Sequence, residues 1–384
     1  MSNLLRASRQ WATRPRDERF WGLNDLEQHL APLRAASEEL DTSLGQFRAV
    51  PNKRDLRIVG EDGQPLGITN WSFGQLCRSV DAPPDYLSGL PARLACQCLN
   101  RGFASNKEAA VKCLLQQNGE ATELRAATGT AYSRIWDLDV VRAIAPALDV
   151  GWRVPPARPA VDDPRARPAT KEDLLEQGEF WGSIKEGDMI APAGVYRGDR
   201  DSFIFLVNPN RRIDDGGDGL MRGVFVTNSE VGRTSFRIIT FLLQNVCSNH
   251  IVWGASDLRE LKLIHKGRAN SRFGSELVLR LRRYNDAGAI EEEKMVRAAK
   301  LFELGKDRDS VIDRLFDIKS LDLCRRDLEG AWELAVKWEK TAGSPPTTAW
   351  GFVHGLTRWS QTYDFADVRN ALDVAGGKIL SLAV

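Results

Sequence analysis

The 384-residue chain has few residues that bind metals, and those it has are scattered. It contains only four histidines and six cysteines, and no two cysteines have C-x-x-C spacing; the closest pair, Cys96 and Cys98, stands two apart. Structural zinc sites need ligands at short, recurring spacings, so no metal is predicted. The thiols are expected to be buried small hydrophobes in a reducing compartment.

Motifs that bind nucleotides or activate nucleophiles are also missing. The sequence has no P-loop, no G-x-G-x-x-G after a predicted strand, no H-E-x-x-H and no G-x-S-x-G. Cys247 lies near His250, but its apolar neighbours predict a buried thiol with a raised pKa rather than a nucleophile. The acidic run from Asp214 to Gly219 lacks the ligand spacing of a calcium loop, and a flexible turn is predicted there. No catalytic residue and no cofactor are therefore predicted.

Long hydrophobic runs are absent as well. No window approaches the roughly 20 apolar residues of a membrane span, and the Arg-rich N-terminus has no apolar stretch to serve as a signal. We therefore expect a cytoplasmic protein without membrane contact. The formal net charge is only +1, which excludes a generally basic protein, so a polyanionic partner would have to meet a local patch.

The residue patterns predict an α+β fold, in which a β-hairpin-rich core with helices is followed by a mostly helical C-terminal third. Strand-like runs at 111–116 and 121–127 flank Asn118-Gly119, a dipeptide typical of tight hairpins. Asp137 is predicted to cap a helix. The apolar run Phe236–Leu243 fits a strand or a helix, because short runs are ambiguous by periodicity.

The composition along the chain predicts five regions. A Pro- and Arg-rich segment at 151–172 is the clearest boundary, since proline disfavours regular structure and suits a linker or long loop. The regions are a flexible basic arm (1–22), an α+β region (23–150), the linker or long loop (151–172), a strand-rich core (173–272) and a helical region (273–384).

A cluster of bases is the strongest functional signal. Eight bases and only two acids lie between residues 259 and 283, which would suit a phosphodiester backbone. The alternative is a solvated face whose charge is balanced by Glu291, Glu292 and Glu293. The bases are Arg259, Lys262, Lys266, Arg268, Arg272, Arg280, Arg282 and Arg283.

A dense polar segment, 227–235, lies between two strand-like runs. One interpretation is a loop that presents Asn228, Ser229, Glu230 and Arg233 to a ligand. The other is a strand-connecting turn, in which Glu230 and Arg233 form a surface ion pair.

The segment from Gly223 to Gly254 resembles a family of unknown function from phages and plasmids, domain of unknown function 932. The shared elements are Asn228-Ser229-Glu230-Val231-Gly232, Cys247-Ser248-Asn249 and His265-Lys266-Gly267, and residues 132–141 resemble the family's upstream segment. His250 departs from the pattern, where the family usually has glycine. The resemblance implies a mobile-DNA context and says little about activity.

These observations favour a non-enzymatic, homo-oligomeric DNA-binding protein of a mobile element, similar to single-strand annealing or recombination-mediator proteins. Its bases would contact phosphates of single-stranded DNA, while exposed aromatic rings would stack on bases. A second hypothesis is a protein–protein module with a surface built from Trp332, Trp338, Trp350 and Trp359. A third is a Mg²⁺-dependent nuclease using scattered carboxylates such as Asp199, Asp201 and Glu230.

Overall fold

The computed structural model confirms the α+β class. It describes residues 19–53, 55–146, 151–154, 158–159, 165–177, 185–192, 194–213, 220–244, 251–253, 260–288, 290–360, 362–363 and 366–383. Within these ranges every element after residue 268 is helical, as predicted for the C-terminal third.

A six-stranded sheet forms the first part of the molecule, in the order β2-β6-β7-β5-β4-β3. Its strands are β2 (Ser37–Ser43), β3 (Arg48–Asn52), β4 (Asp55–Val59), β5 (Pro65–Ile68), β6 (Ala110–Asn118) and β7 (Ala121–Thr128). The predicted hairpin at Asn118-Gly119 joins β6 to β7, and Gly119 has a positive φ of 62°, which glycine adopts without strain. Three helices pack on this sheet: α2 (Asn70–Ser79), α3 (Pro84–Gly89) and α4 (Ala92–Ser105).

A larger sheet follows in the order β1-β11-β12-β13-β14-β15, with β16 pairing beside β15 on the same edge of β14. Its strands are β1 (Arg19–Phe20), β11 (Val195–Arg197), β12 (Ser202–Ile213), β13 (Leu220–Asn228), β14 (Phe236–Gln244), β15 (Ile251–Trp253) and β16 (Glu260–Leu263). The ambiguous run Phe236–Leu243 is thus a strand. Every neighbouring pair in this sheet is antiparallel.

Helices cover one face of the large sheet. The helices are α1 (Leu23–Ala35), α5 (Asp137–Ile144) and α7 (Ala269–Asp286), and their apolar residues share one core with the sheet. Leu277 and Leu281 of α7 pack with Val224 and Ile238 of the sheet. Asp137 is not the cap of α5 as predicted: Trp136 occupies that position, and Asp137 lies buried in the first helical turn.

A small sheet in the order β8-β10-β9 is formed within residues 158–191, and one helix lies in the sequence between β9 and β10. Its elements are β8 (Arg158–Pro159), β9 (Arg167–Pro168), α6 (Lys171–Gln177) and β10 (Met189–Ala191). The remaining helices are α8 (Ile290–Leu301), α9 (Arg308–Asp317), α10 (Arg325–Lys337), α11 (Glu339–Ala342), α12 (Ala349–Ser360) and α13 (Ala366–Leu380). These helices form a core of their own, which also includes Leu220 and Leu242 of the large sheet.

Two predicted loop segments contribute to the core. Phe20, placed in the flexible arm, is buried and pairs with Val195, whereas residues 1–18 lie outside the described ranges. Trp152, placed in the linker, is fully buried and stacks near Tyr284 of α7. The five predicted regions themselves stay predictions.

Candidate nucleic-acid interface

The polar segment that follows β13 is buried. Asn228 and Ser229 are fully buried and Glu230 is 7% exposed, so they are not presented to a ligand as the first interpretation expected. The second interpretation is also wrong about Glu230, because its partners are Arg125 and Arg197 rather than Arg233. Of the four predicted loop residues, only Arg233 is exposed.

Glu230 joins parts of the chain that are far apart in sequence. Its Oε2 lies 3.4 Å from Arg125 Nη1 on β7 and 3.3 Å from Arg197 Nη2 on β11. Its Oε1 accepts the backbone N–H of Asp137 at 3.0 Å, and its own carbonyl accepts a hydrogen bond from Arg134 Nη1. The Glu230 side chain therefore links both large sheets to α5.

Asp137 completes this charged cluster. Its Oδ1 accepts hydrogen bonds from Ser202 Oγ and Asn228 Nδ2, each at 2.8 Å, and Arg197 Nε lies 3.5 Å from its Oδ2. Burial and the nearby Glu230 charge raise the pKa of Asp137. Burial would also raise the pKa of Glu230, but Arg197 and Arg125 lower it overall, so Glu230 is the firmly ionised member of the pair.

The rest of the segment is held by neutral hydrogen bonds. The carbonyl of Val231 accepts Trp71 Nε1 and Gln75 Nε2 from α2, each at 2.8 Å. The carbonyl of Ser229 accepts Tyr132 Oη at 2.7 Å. A buried segment with this many internal partners connects structural units, and it leaves ligand binding to its exposed neighbours.

Beside this segment a row of six side chains, here called the cross-sheet row, crosses the large sheet. Residues directly opposite each other in antiparallel strands project from the same face. In the strand register each residue of the row lies opposite the next one. In order across the sheet, the row consists of Arg19, Tyr196, Phe203, Thr227, Arg237 and Lys262. Lys262 is exposed, Tyr196 is partly buried, and Phe203 and Thr227 are buried. This face is the one opposite α7, and the row carries bases at both ends of two aromatic rings.

Bases dominate the Lys262 end of the row. Arg237 and Lys262 lie directly opposite each other on β14 and β16, although like charges in that position repel. Arg237 also donates from Nε to Ser235 Oγ at 3.1 Å. Lys262 is exposed and has no ion pair with any described residue. An anion bound there would relieve this repulsion.

A cleft of about 550 Å³ opens at this end of the row. Phe203, Thr227, Arg237 and Lys262 of the row line it, together with the exposed end of the buried segment and the residues that follow β16. Among the described residues that line it, the charged side chains are four bases and one acid: Arg233, Arg237, Lys262, Lys266 and Asp201.

His265 lines the cleft with an unprotonated nitrogen. Its Nδ1 lies 3.2 Å from the Ser133 carbonyl, which only accepts, so Nδ1 carries the proton and Nε2 has a free lone pair. Tyr132 stacks on the ring at 5.0 Å and 11°. Burial lowers the pKa of His265 to about 4, so the imidazole is neutral at pH 7. Nε2 has no hydrogen-bond partner among the described residues.

Thr227 also lines the cleft with an unpaired group. The residue is 4% exposed, and its hydroxyl has no hydrogen-bond partner in the part of the chain that the structure describes. Buried polar groups are nearly always paired, so His265 Nε2 and Thr227 Oγ1 are the polar atoms of these two lining residues with which a ligand would pair.

The predicted patch divides between the cleft and α7. Lys262 and Lys266 line the cleft, and Arg268 directly precedes α7. Arg272, Arg282 and Arg283 are exposed on α7, where Arg272 pairs with Glu276 at 3.3 Å. Arg280 is half-buried and Arg259 lies outside the described residues.

Glu292, in the acidic run after α7, does not neutralise the bases of the predicted patch. Glu292 is buried and pairs with Arg222 at 3.1 Å instead. Among the described side chains, Lys266, Arg268, Arg282 and Arg283 have no ion pair. The alternative that treated this stretch as a neutralised surface is thus weakened.

The aromatic residues of the second hypothesis lie in the helical core. Trp350 is 1% exposed, and Trp332 and Trp359 pack against the same cluster. Trp338 is partly buried beneath Arg358, whose guanidinium carbon lies 3.9 Å from the ring centre. These rings do not form a partner surface.

The carboxylates of the third hypothesis do not form a metal-binding group among the described residues. Glu230 is buried and occupied by arginines, whereas Asp199 is exposed beside Arg200. In the part of the chain that the structure describes, no group of three or more His, Cys, Asp or Glu residues is arranged to hold a metal. Cys247, His250 and the run 214–219 lie outside that part. Of the described cysteines, Cys98 and Cys324 are exposed, contrary to the expectation that all would be buried.

Sequence reasoning missed the cross-sheet row. Tyr196, Phe203, Thr227 and Arg237 come from four strands, and strand alternation shows only which residues of one strand share a face. The register that aligns the four strands is not readable from one sequence. His265 was noted as part of a motif, but its unpaired nitrogen depends on the position of Ser133.

Comparison with known proteins identifies a family but no activity. The family model described as Domain of unknown function (DUF932) matches residues 174–372, just over half of the chain. The matched range includes β11–β16 and helices α7–α12, and hence most of the cross-sheet row. No curated protein and no solved structure matches significantly. No described helix has the length and apolar character needed to cross a membrane.

Proposed function

We propose that this chain, which belongs to the family Domain of unknown function (DUF932), is a non-enzymatic protein that binds single-stranded DNA. The observation that carries the proposal is the cross-sheet row, which places the partly exposed Tyr196 ring beside Arg19 and runs across the sheet into a basic cleft. Single-stranded nucleic acids are bound by this combination, in which bases of the protein track phosphates and aromatic rings stack on nucleobases.

The proposed path begins at Arg19 and Tyr196. The Arg19 guanidinium lies 5.9 Å from the centre of the partly exposed Tyr196 ring, so a nucleobase and a phosphate would meet adjacent groups. At the other end Lys262 and Lys266 of the cleft meet the backbone, and the exposed Arg268 follows Lys266 closely in the chain. These contacts involve the backbone and stacking, so little sequence preference is expected.

A cytoplasmic, homo-oligomeric protein of a mobile element belongs to the same proposal. Repeated copies of the row would bind a long strand with greater avidity than one copy. Light scattering with and without an oligonucleotide measures this part independently of affinity.

The test is fluorescence anisotropy with labelled single-stranded oligonucleotides across a salt series. Binding should weaken steeply with salt, because each neutralised phosphate adds about 0.7 to the slope of log affinity against log salt. Lys262→Gln and Lys266→Gln should each weaken binding and lower that slope by about 0.7. Lys306→Gln and Arg326→Gln, exposed bases away from the row, are the controls.

The aromatic part of the path is tested by Tyr196→Leu, which keeps an apolar side chain but removes the ring. Affinity should fall by about 1–3 kcal/mol per stacked base while the salt slope stays unchanged. Absent or salt-insensitive binding of the wild-type protein contradicts the proposal.

A further inference from the structure

We propose that the basic cleft holds one nucleotide that carries a phosphomonoester, either as a free nucleotide or as the phosphorylated end of a strand. The inference deepens the proposed function, on which it rests for the nucleic-acid nature of the ligand. It starts from a separate observation, the two unpaired polar atoms at His265 and Thr227.

The charge of the cleft favours a phosphomonoester over a diester. Four bases and one acid line the cleft, which leaves a surplus of three positive charges. A phosphodiester inside a strand carries one negative charge, whereas a phosphomonoester carries about 1.5 to 2 at pH 7. The facing pair Arg237 and Lys262 supplies two of the bases at one point of the cleft.

The unpaired atoms require more than a phosphate. His265 Nε2 can only accept a hydrogen bond, and so can the oxygens of a fully ionised phosphate. A fully ionised phosphomonoester group would leave Nε2 unpaired, so a donor elsewhere in the ligand, an O–H or N–H group, would complete the site. Thr227 Oγ1 can donate or accept and suits either part of such a ligand. A sugar hydroxyl or the amine of a nucleobase provides the donor.

The size and the apolar lining also fit a nucleotide. The volume of about 550 Å³ lies within the range of small-molecule sites. Tyr132 and Phe203 contribute aromatic surface, and Ile264 is 62% exposed at the cleft. A nucleobase would cover the Ile264 side chain that is otherwise left in water.

The experiment measures the binding of five ligands to the full chain by calorimetry. Three are small molecules: adenosine, inorganic phosphate and adenosine 5′-monophosphate. The other two are one oligonucleotide prepared with a 5′-phosphate and the same oligonucleotide with a 5′-hydroxyl. Adenosine monophosphate should bind at least about 10-fold more tightly than adenosine or phosphate, the ratio that one hydrogen bond to a charged group provides. If a strand end is the source, the phosphorylated oligonucleotide should bind more tightly than the hydroxyl form by a similar factor.

Thr227→Val tests the cleft directly, because it removes the hydroxyl with little change in shape. The substitution should lower the affinity for adenosine monophosphate about 10-fold. Thr240→Val is the matched control: Thr240 lies in the same sheet with an unpaired buried hydroxyl, but it faces the opposite side and does not line the cleft. It should leave binding unchanged.

The outcomes separate the two proposals. Equal binding of adenosine and adenosine monophosphate, or no effect of Thr227→Val, overturns the nucleotide site, whereas salt-dependent oligonucleotide binding would still support the strand proposal. Binding of adenosine monophosphate without any oligonucleotide binding overturns the strand proposal and supports the cleft with a free nucleotide as its source.

Discussion

At the scale of single residues, Glu230 determines how three parts of the protein meet. Its carboxylate pairs with Arg125 and Arg197 and accepts the Asp137 N–H in a region without solvent. Attraction at this site must offset the cost of burying each charge, and removing one partner leaves the others uncompensated.

Glu230→Gln should therefore lower the free energy of unfolding by about 3–5 kcal/mol, the range for breaking a buried ion pair. Urea denaturation at pH 7.5 measures the change. Glu333→Gln, an exposed glutamate on α10, should change stability by no more than about 0.5 kcal/mol. Similar small effects for both variants would contradict the buried network.

His265 gives the protein an acid-sensitive stability. Its folded-state pKa of about 4 lies below the ordinary value of 6.5, so between these values the unfolded chain binds a proton that the folded protein does not. Stability is thus fully present above pH 6.5 and is lost as the pH falls toward 4. His354 is shifted in the same direction by burial and by Arg358.

Urea midpoints measured between pH 7.5 and 4.5 check this prediction. The wild-type midpoint should fall on acidification, and His265→Gln should have a shallower dependence, because glutamine takes up no proton. An unchanged slope in that variant would show that the folded and unfolded states protonate His265 alike.

Residue-scale features were the hardest to predict from the sequence. Asn228, Ser229 and Glu230 are polar residues between strands, a pattern typical of surface turns. Their burial depends on Arg125, 105 positions from Glu230, and on Arg197. A pairing over such a separation leaves no local signal in one sequence.

At the scale of elements, β13 is tightly packed at Gly223. A Cβ added there would lie 2.1 Å from the Phe241 ring on β14, well inside any real contact distance. The glycine therefore leaves space for an aromatic side chain on the same face as the cross-sheet row.

Gly223→Ala should destabilise the protein by about 1–3 kcal/mol, the usual cost of overpacking. Gly67→Ala is the matched control in β5, where the nearest atom to the added Cβ would be an ordinary 3.7 Å away. Adding Phe241→Leu to Gly223→Ala should recover part of the loss. Thermal unfolding of the wild type and the three variants measures both effects, and a neutral Gly223→Ala would contradict the close approach.

Elements with strong local signals were predicted well. The β6–β7 hairpin follows from Asn118-Gly119 and the strand-like runs on both sides. The run Phe236–Leu243 could not be assigned, because its strand conformation depends on β13 and on β15 and β16 beside it. The cross-sheet row could not be predicted for the same reason.

At the scale of the whole molecule, one apolar core crosses the predicted boundary at 151–172. Leu26, Leu30 and Val141 precede that segment, whereas Val224 and Leu277 follow it, and all belong to the same buried cluster. The two sides of the boundary should therefore hold together without a covalent link.

A protease site inserted at residues 160–164 tests this expectation. After cleavage the two fragments should co-elute in gel filtration and separate only in denaturant, because parting them would expose the shared core to water. The uncleaved insertion variant is the control for folding. Fragments that separate under native conditions would instead support two independent domains.

The burial of the Asn228-Ser229-Glu230 segment bears on how this family diversifies. A sequence motif made of buried side chains identifies relatives that share a fold and gives no information about the ligands that they bind. Divergence in specificity should instead be sought at accessible positions of the cross-sheet row, such as those aligned with Arg237 and Lys262. Two proteins with the same motif and different residues there are expected to carry different molecules.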